Sequence, residues 1–441
     1  MSKLSHGTTP TFVKIYNITK RSWSKFVEIT IKEVLINKKD SFKIVKSIDL
    51  KYHYFLFLFF SFFLAQAQSW TGELDQSSDV LLKNRYVEIE AAQAMFDMYN
   101  MDFDQAERQF KYLKKQYGWH PLPDFLLGLC YWWRLVPQGE MGSKWDQLFL
   151  AQMDSAQVKA HRLYDEVNQI EGAFFLAAAY GFQGRLYADR GQYLKASLAG
   201  KNALKYLNIG KDEENFSPEL LLGKGLFNYY AQWIPEHYPM LKPIMTFFPK
   251  GDKSVGIAQL KETSRNAFYA RTEAQYYLLR ILYEEEQNLS EASQLAAYLT
   301  NLYPNNSYFQ SYYGRILYRL GKQSESIAVF ESILERIHAE QEGYEYNTAR
   351  YATYFLGNIW KARGDLTKSK KYFKESVKYA ALANATEKGY YFYSLLHLGE
   401  IAVLEKEFDL ALQYFKKVRK VTGRKHAVNR SAKEKMKEIE H

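Results

Sequence analysis

Cysteine is almost missing from these 441 residues: Cys130 stands alone, so no intrachain disulfide can staple the chain and no cysteine cluster can hold a metal. Set in the apolar run LLGLCYWW, it reads as a small buried core residue rather than a reactive thiol. Helix breakers are scarce too, with 10 prolines and 24 glycines, which favours long helices. At 47% hydrophobic and 17% aromatic, the chain is too apolar to be disordered. No H-E-x-x-H, no G-x-S-x-G and no metal-spaced Cys/His cluster occurs, and Gly223-Lys224-Gly225 lacks the other residues of a phosphate loop. The nine histidines are scattered. These absences exclude the commonest enzyme classes and point to no metal and no cofactor.

No apolar run is long enough to span a bilayer; the longest near the N-terminus, Tyr54 to Leu64, falls well short of the roughly 20 residues needed. Preceded by Lys51 and followed by Ala65 and Ala67, it has the three-part layout of a secretory signal peptide over residues 50–67, with cleavage expected before Gln68. The alternative is an uncleaved anchor over 52–67. Residues 1–49 contain no second Met and read as a disordered gene-start extension. Charge divides the same way. Residues 1–67 carry 11 of the 59 Lys and Arg but only 4 of the 49 Asp and Glu, so most of the formal +10 lies ahead of the expected cleavage. A nucleic-acid partner is therefore not expected.

What the chain has is a repeat. Ala292 and Ser326 are small residues 34 positions apart, each followed by apolar residues at plus four (Ala296, Phe330) and plus seven (Leu299, Ile333). Gly314 precedes Ser326 by twelve, and the same spacing links Gly184 with Ala196, Gly357 with Ser369, Gly399 with Ala411 and Ala94 with Ala106. Small residues at this spacing let two helices of a hairpin approach closely, and a large side chain at Gly314 should cost roughly 1–3 kcal/mol. Each hairpin leaves an apolar stripe that only a neighbouring hairpin can cover, so the hairpins stack. The last two spacings lengthen to 43 and 42 residues, with the excess assigned to longer helices around Ile337 to Arg350 and Tyr379 to Tyr391.

On these residues, across roughly 80–420, the chain resembles tetratricopeptide repeat proteins, and with its leader segment it is similar to the exported bacterial kind. The resemblance implies an all-α, right-handed α-solenoid over 68–424, with a charged tail at 425–441. It also implies a concave surface that binds a protein or peptide. The expected role is a non-enzymatic scaffold or adaptor for a partner protein in the bacterial cell envelope, in the periplasm. The alternative is a small-molecule or glycan-binding envelope protein.

Two stretches are candidates for the site. Pro235, Pro239, Pro243 and Pro249 interrupt 229–250, and Tyr229, Tyr230, Trp233, Tyr238, Phe247 and Phe248 set aromatics among them. That composition suits a surface that grips a peptide, touches the envelope membrane or forms the pocket of the alternative; it equally suits rings that fold back to seal the solenoid. The second stretch is a Tyr-rich inner face with Tyr276, Tyr312 and Tyr313, extended by Tyr283, Tyr318, Tyr351 and Tyr354. Such rings either bind an extended chain or fill gaps between helices.

Overall fold

The computed structural model describes residues 80–139, 144–209, 217–239, 242 and 249–440. The N-terminal extension, the signal segment, Phe247 and Phe248 lie outside the described residues. Among those described there are seventeen α-helices and no strand. Consecutive helices pack as hairpins: α1 (Arg85–Tyr99) with α2 (Phe103–Gln116), α3 (Pro121–Leu135) with α4 (Lys144–Arg162), and α5 (Gln169–Asp189) with α6 (Tyr193–Leu207). Then come α7 (Leu221–His237) with α8 (Lys253–Asn266), α9 (Arg271–Arg280) with α10 (Leu289–Leu302), and α11 (Ser307–Arg319) with α12 (Gln323–His338). The last two pairs are α13 (Tyr346–Ala362) with α14 (Leu366–Leu382) and α15 (Gly389–Leu404) with α16 (Phe408–Val421). Helix α17 (Ala427–Glu440) buries Val428, Ala432 and Met436 against the end.

The predicted register is the observed one. Ala292, Ala296, Leu299, Ser326, Phe330 and Ile333 are all fully buried. A Cβ added at Gly314 would lie 2.7 Å from the Phe330 ring, and one at Gly357 would lie 2.8 Å from the ring of Phe373. Phe415 stands against Gly399 in the same way. The small residue twelve on does more than leave room: Ser326 Oγ donates to the Gly314 carbonyl and Ser369 Oγ to that of Gly357, both at 2.9 Å. Seven residues after each close-packed glycine the chain turns through a left-handed position, at Gly191, Gly321 and Gly364, with φ of 70°, 74° and 80°. In the first and last hairpins Met101 and Lys406 take that position, at φ 65° and 62°, without glycine's freedom.

Three features depart from the expectation. Helix α7 continues through Pro235 to His237; in the last turn the proline deprives only the Ala231 carbonyl of its partner, so the helix does not break there. Around Tyr379 to Tyr391 the helix is not continuous: α14 ends at Leu382, α15 begins at Gly389, and residues 383–388 connect them. The extra length after α12 goes partly into the loop Ala339–Glu345 rather than wholly into helix.

That loop has a structural use. Glu342 pairs with Arg134 of α3, and the Gly343 carbonyl accepts from Ser307 Oγ at 2.5 Å while Gly343 itself lies against Met101. Around it, Asn306 Nδ2 donates to Tyr99 O at 2.7 Å and Trp133 Nε1 to Glu273 Oε1 at 2.7 Å. The Trp133 ring meets Tyr276 and Phe309, each at 5.6 Å between centroids. Helices α1 and α3 are thus clasped by α9, α11 and the loop before α13, so these hairpins contact far more than their sequence neighbours.

Candidate functional site

The helices that open successive hairpins, α11, α13 and α15, present one continuous face of tyrosine and arginine. Tyr308, Tyr312, Arg315 and Arg319 recur at three- and four-residue intervals along α11, which aligns them. Tyr351, Tyr354 and Asn358 follow on α13, and Tyr390 and His397 on α15. Arg315 is the centre of it. Its guanidinium lies 4.9 Å from the Tyr283 ring, 4.5 Å from Tyr312 and 5.6 Å from Tyr351, rings of three successive hairpins. Burial pushes its pKa down, but Tyr390, Tyr283, Tyr312 and Glu284 around it more than reverse that, so it ends well above the ordinary arginine value and stays charged.

The anionic partner is shared. Glu284 Oε1 meets Arg315 at 3.5 Å and accepts from Tyr312 Oη at 2.7 Å, while Oε2 meets Arg280 at 3.3 Å. Nε of Arg315 is buried without a hydrogen-bond partner, as is Nη1 of Arg350, whose other nitrogens serve Asn347 and Tyr351. Donors outnumber acceptors on this face. Arg319 is exposed, and Tyr308, Tyr351, Tyr354 and Tyr390 are half-buried, so a ligand has both floor and edge to meet. Further along, Glu400 is held at about 2: burial acts to raise it, and the His397 and Lys361 contacts overcome that.

The structure splits the aromatic candidates. Tyr276 and Tyr312 are buried in the floor; Tyr313 is half-buried on the neighbouring side of α11. Tyr229, Tyr230 and Trp233 are buried inside α7, in a cluster with Ile234, Leu260 and Leu278, and Tyr238 packs against that cluster. Tyr229 Oη donates to Glu286 at 2.6 Å, tying α7 to the next hairpin. What the tyrosine reading missed is their arginines. The i, i+3 and i+7 spacing from Tyr308 and Tyr312 to Arg315 and Arg319 was the available signal.

Cys130 is buried among apolar side chains, and burial raises its thiol to about 12. Among the described residues no group of His, Cys, Asp and Glu could hold a metal ion, and no helix is long and apolar enough to cross a membrane.

No protein-family model matches the chain, and no curated protein does. Among solved structures it is similar to the human IFIT1 dimer with PPP-AAAA, at 17% identity over 73% of this chain and 69% of that one, with a TM-score of 0.33. It is also similar to the P58(IPK) TPR domain, at 13% identity over 80% and 98% of the two chains, with a TM-score of 0.26. Yeast Tom70 matches at 12% identity over 81% and 96%, with a TM-score of 0.28. Such likenesses carry no residue correspondences, so the assignment rests on the chain's own geometry: glycine against phenylalanine, serine on the glycine carbonyl, and a left-handed turn seven residues on. By that geometry the chain is an all-α solenoid of tetratricopeptide-like helix hairpins.

Proposed function

We propose that the protein is a non-enzymatic scaffold of the bacterial cell envelope that holds an extended, acidic segment of a partner polypeptide along the tyrosine and arginine face of α11, α13 and α15. The observation that carries this reading is Arg315, fixed among Tyr283, Tyr312 and Tyr351 with one carboxylate shared between it and Arg280. Tyrosine and arginine dominate the energetics of protein recognition because they combine large apolar area with directional donors. Here their rotamers are already fixed by mutual packing, so binding costs little ordering entropy. The surplus of donors selects carboxylates and backbone carbonyls. The envelope location rests on the leader-like residues 50–67.

The test is fluorescence anisotropy with dye-labelled twelve-residue peptides of acidic, neutral and basic composition. Acidic peptides should bind best, and Arg315→Ala or Tyr351→Ala should weaken them about tenfold or more. Equal binding of all three compositions, or indifference to Arg315→Ala, would sink the reading. Intact mass of the protein recovered from envelopes tests the location: a chain beginning near Gln68 supports export, and one retaining Met1 in the cytosol opposes it.

A further inference from the structure

In the repeat register, the residue sixteen positions after the close-packed small residue is the phenylalanine that fills the hairpin. It is Phe110 after Ala94, Phe330 after Gly314, Phe373 after Gly357 and Phe415 after Gly399, each fully buried. After Gly184 that position is Gly200. The α5–α6 hairpin has no phenylalanine at that position, and Gly200 instead borders a cavity of about 190 Å³. Gly200 is one of its walls, and α5 and α6 add Ala173, Ala177, Ala178, Gly181 and Ala203. The small side chains at these positions on both helices leave the space open between the larger wall residues. A cavity of about 150 Å³ lined by apolar side chains is enough to admit benzene.

The walls are mostly apolar, with polar groups from Glu219, from the segment that leads into α9 and from α5, α7 and α9. Most polar groups there are already engaged. Glu219 accepts from the backbone N–H of Phe268, Tyr269 and Ala270 at 2.6, 3.0 and 2.7 Å, and Tyr277 Oη accepts from Arg185 at 2.6 Å. Arg185, Asp189 and Lys224 on the wall have partners of their own. Two atoms remain: Tyr269 Oη and Glu273 Oε2, on wall residues only 4% and 2% exposed, are buried without a hydrogen-bond partner. Orphaned buried polar groups are costly, and an unmet donor and an unmet acceptor on the wall residues of one apolar chamber are a recognition pattern. A hydroxyl or carboxamide carries both complements in one group. A carboxylate answers only the tyrosine and loses its hydration in a mostly apolar chamber.

We propose that the cavity between α3, α5, α6 and α7 binds a small neutral amphiphile, with an apolar body the size of an aromatic ring or short alkyl chain. Its hydroxyl or carboxamide head accepts from Tyr269 Oη and donates to Glu273 Oε2. This site is separate from the tyrosine and arginine face, so either can fail without the other.

The probes are benzyl alcohol, toluene and benzoate, which share a ring and differ in the head, each titrated into the full chain by saturation-transfer NMR and by thermal melting. Benzyl alcohol should bind best, toluene about tenfold more weakly and benzoate least. Gly200→Phe, which restores the filler of the other hairpins, should abolish benzyl alcohol binding while keeping or raising Tm. Should that variant fail to fold, Ala177→Leu narrows the same chamber. Tyr269→Phe should bring benzyl alcohol down to the level of toluene and leave toluene unchanged, a result that general loosening would not give. Absence of binding by all three probes, undiminished binding in the filled variants, or benzoate binding as tightly as benzyl alcohol would overturn the proposal.

Discussion

Asn306 is joined to Tyr99 across 207 positions of chain: its Nδ2 donates to the Tyr99 carbonyl at 2.7 Å, deep in the protein. The same side chain caps α11, where Oδ1 accepts from Tyr308 N at 3.1 Å and Phe309 N at 3.0 Å. One amide therefore starts a helix and fastens the first hairpin to the sixth.

Substitution separates the two duties. Asn306→Asp keeps the cap and sets a carboxylate against the Tyr99 carbonyl, whereas Asn306→Ala removes both contacts. Aspartate usually equals asparagine as a cap, so on a capping role alone Asn306→Asp would be silent. The clasp predicts instead a loss of roughly 1–3 kcal/mol for Asp, measured by urea unfolding, with Ala losing at least as much.

The helix crossings make a second prediction. Gly314→Ala and Gly357→Ala each drive a methyl into a phenylalanine ring held on all sides, and each should lower stability by roughly 1–3 kcal/mol despite alanine's better helix propensity. Ser326→Ala and Ser369→Ala should cost less, about 1 kcal/mol, for one buried hydrogen bond apiece. Thermal melts of the four variants give the order; glycine variants melting at or above the wild-type temperature would contradict the packing described.

Glu273 and Glu219 give the protein a pH dependence of a particular sign. Burial raises both to about 7, against hydrogen bonds from Trp133 to the first and from the Ala270, Phe268 and Tyr269 amides to the second, which act to lower them. Between the ordinary glutamate value and about 7, the folded state keeps protons that the unfolded state gives up. Stability is therefore full below that window, falls as pH rises through it, and stays lower above it. Glu273→Gln keeps an acceptor for Trp133 and loses the titration, so its stability should vary less between pH 5 and 8, by on the order of 1–3 kcal/mol. Parallel curves for variant and wild type would show that Glu273 titrates normally.

Arg134 reaches Glu342 while also meeting Asp104 at 2.7 Å and Glu107 at 3.4 Å. Glu342→Lys puts like charge beside a buried guanidinium. It should release the loop Ala339–Glu345 to trypsin and speed amide exchange there several-fold, with slower change in α16. Uniform exchange along the chain would argue against a local clasp.

Much of the architecture was legible because the repeat is written in residues whose size alone decides the packing: Gly314, Ser326 and Phe330 admit few alternatives. The clasp was not legible, because Tyr99, Asn306 and Glu342 are joined by contacts between distant hairpins that no period encodes. Asp97 illustrates the gap. A buried acid on α1, it accepts from Gln93 and Gln109 at 2.7 and 2.8 Å, and the second of these contacts is visible only once α1 and α2 are paired. The missing filler at Gly200 was in the sequence throughout. It carried no weight until the register fixed what belonged there.

The clasp also bears on how such a chain can change its length over generations. An open stack tolerates gain or loss of a unit anywhere, since the flanking surfaces simply meet again. Between α1 and the loop before α13 that freedom is gone: one hairpin more or fewer would carry Asn306 and Glu342 away from Tyr99 and Arg134. Beyond α13 the helices described above pack on their sequence neighbours, and there duplication or deletion of a hairpin disturbs the clasp less. Variation in repeat number among descendants of this chain should therefore gather at its C-terminal end.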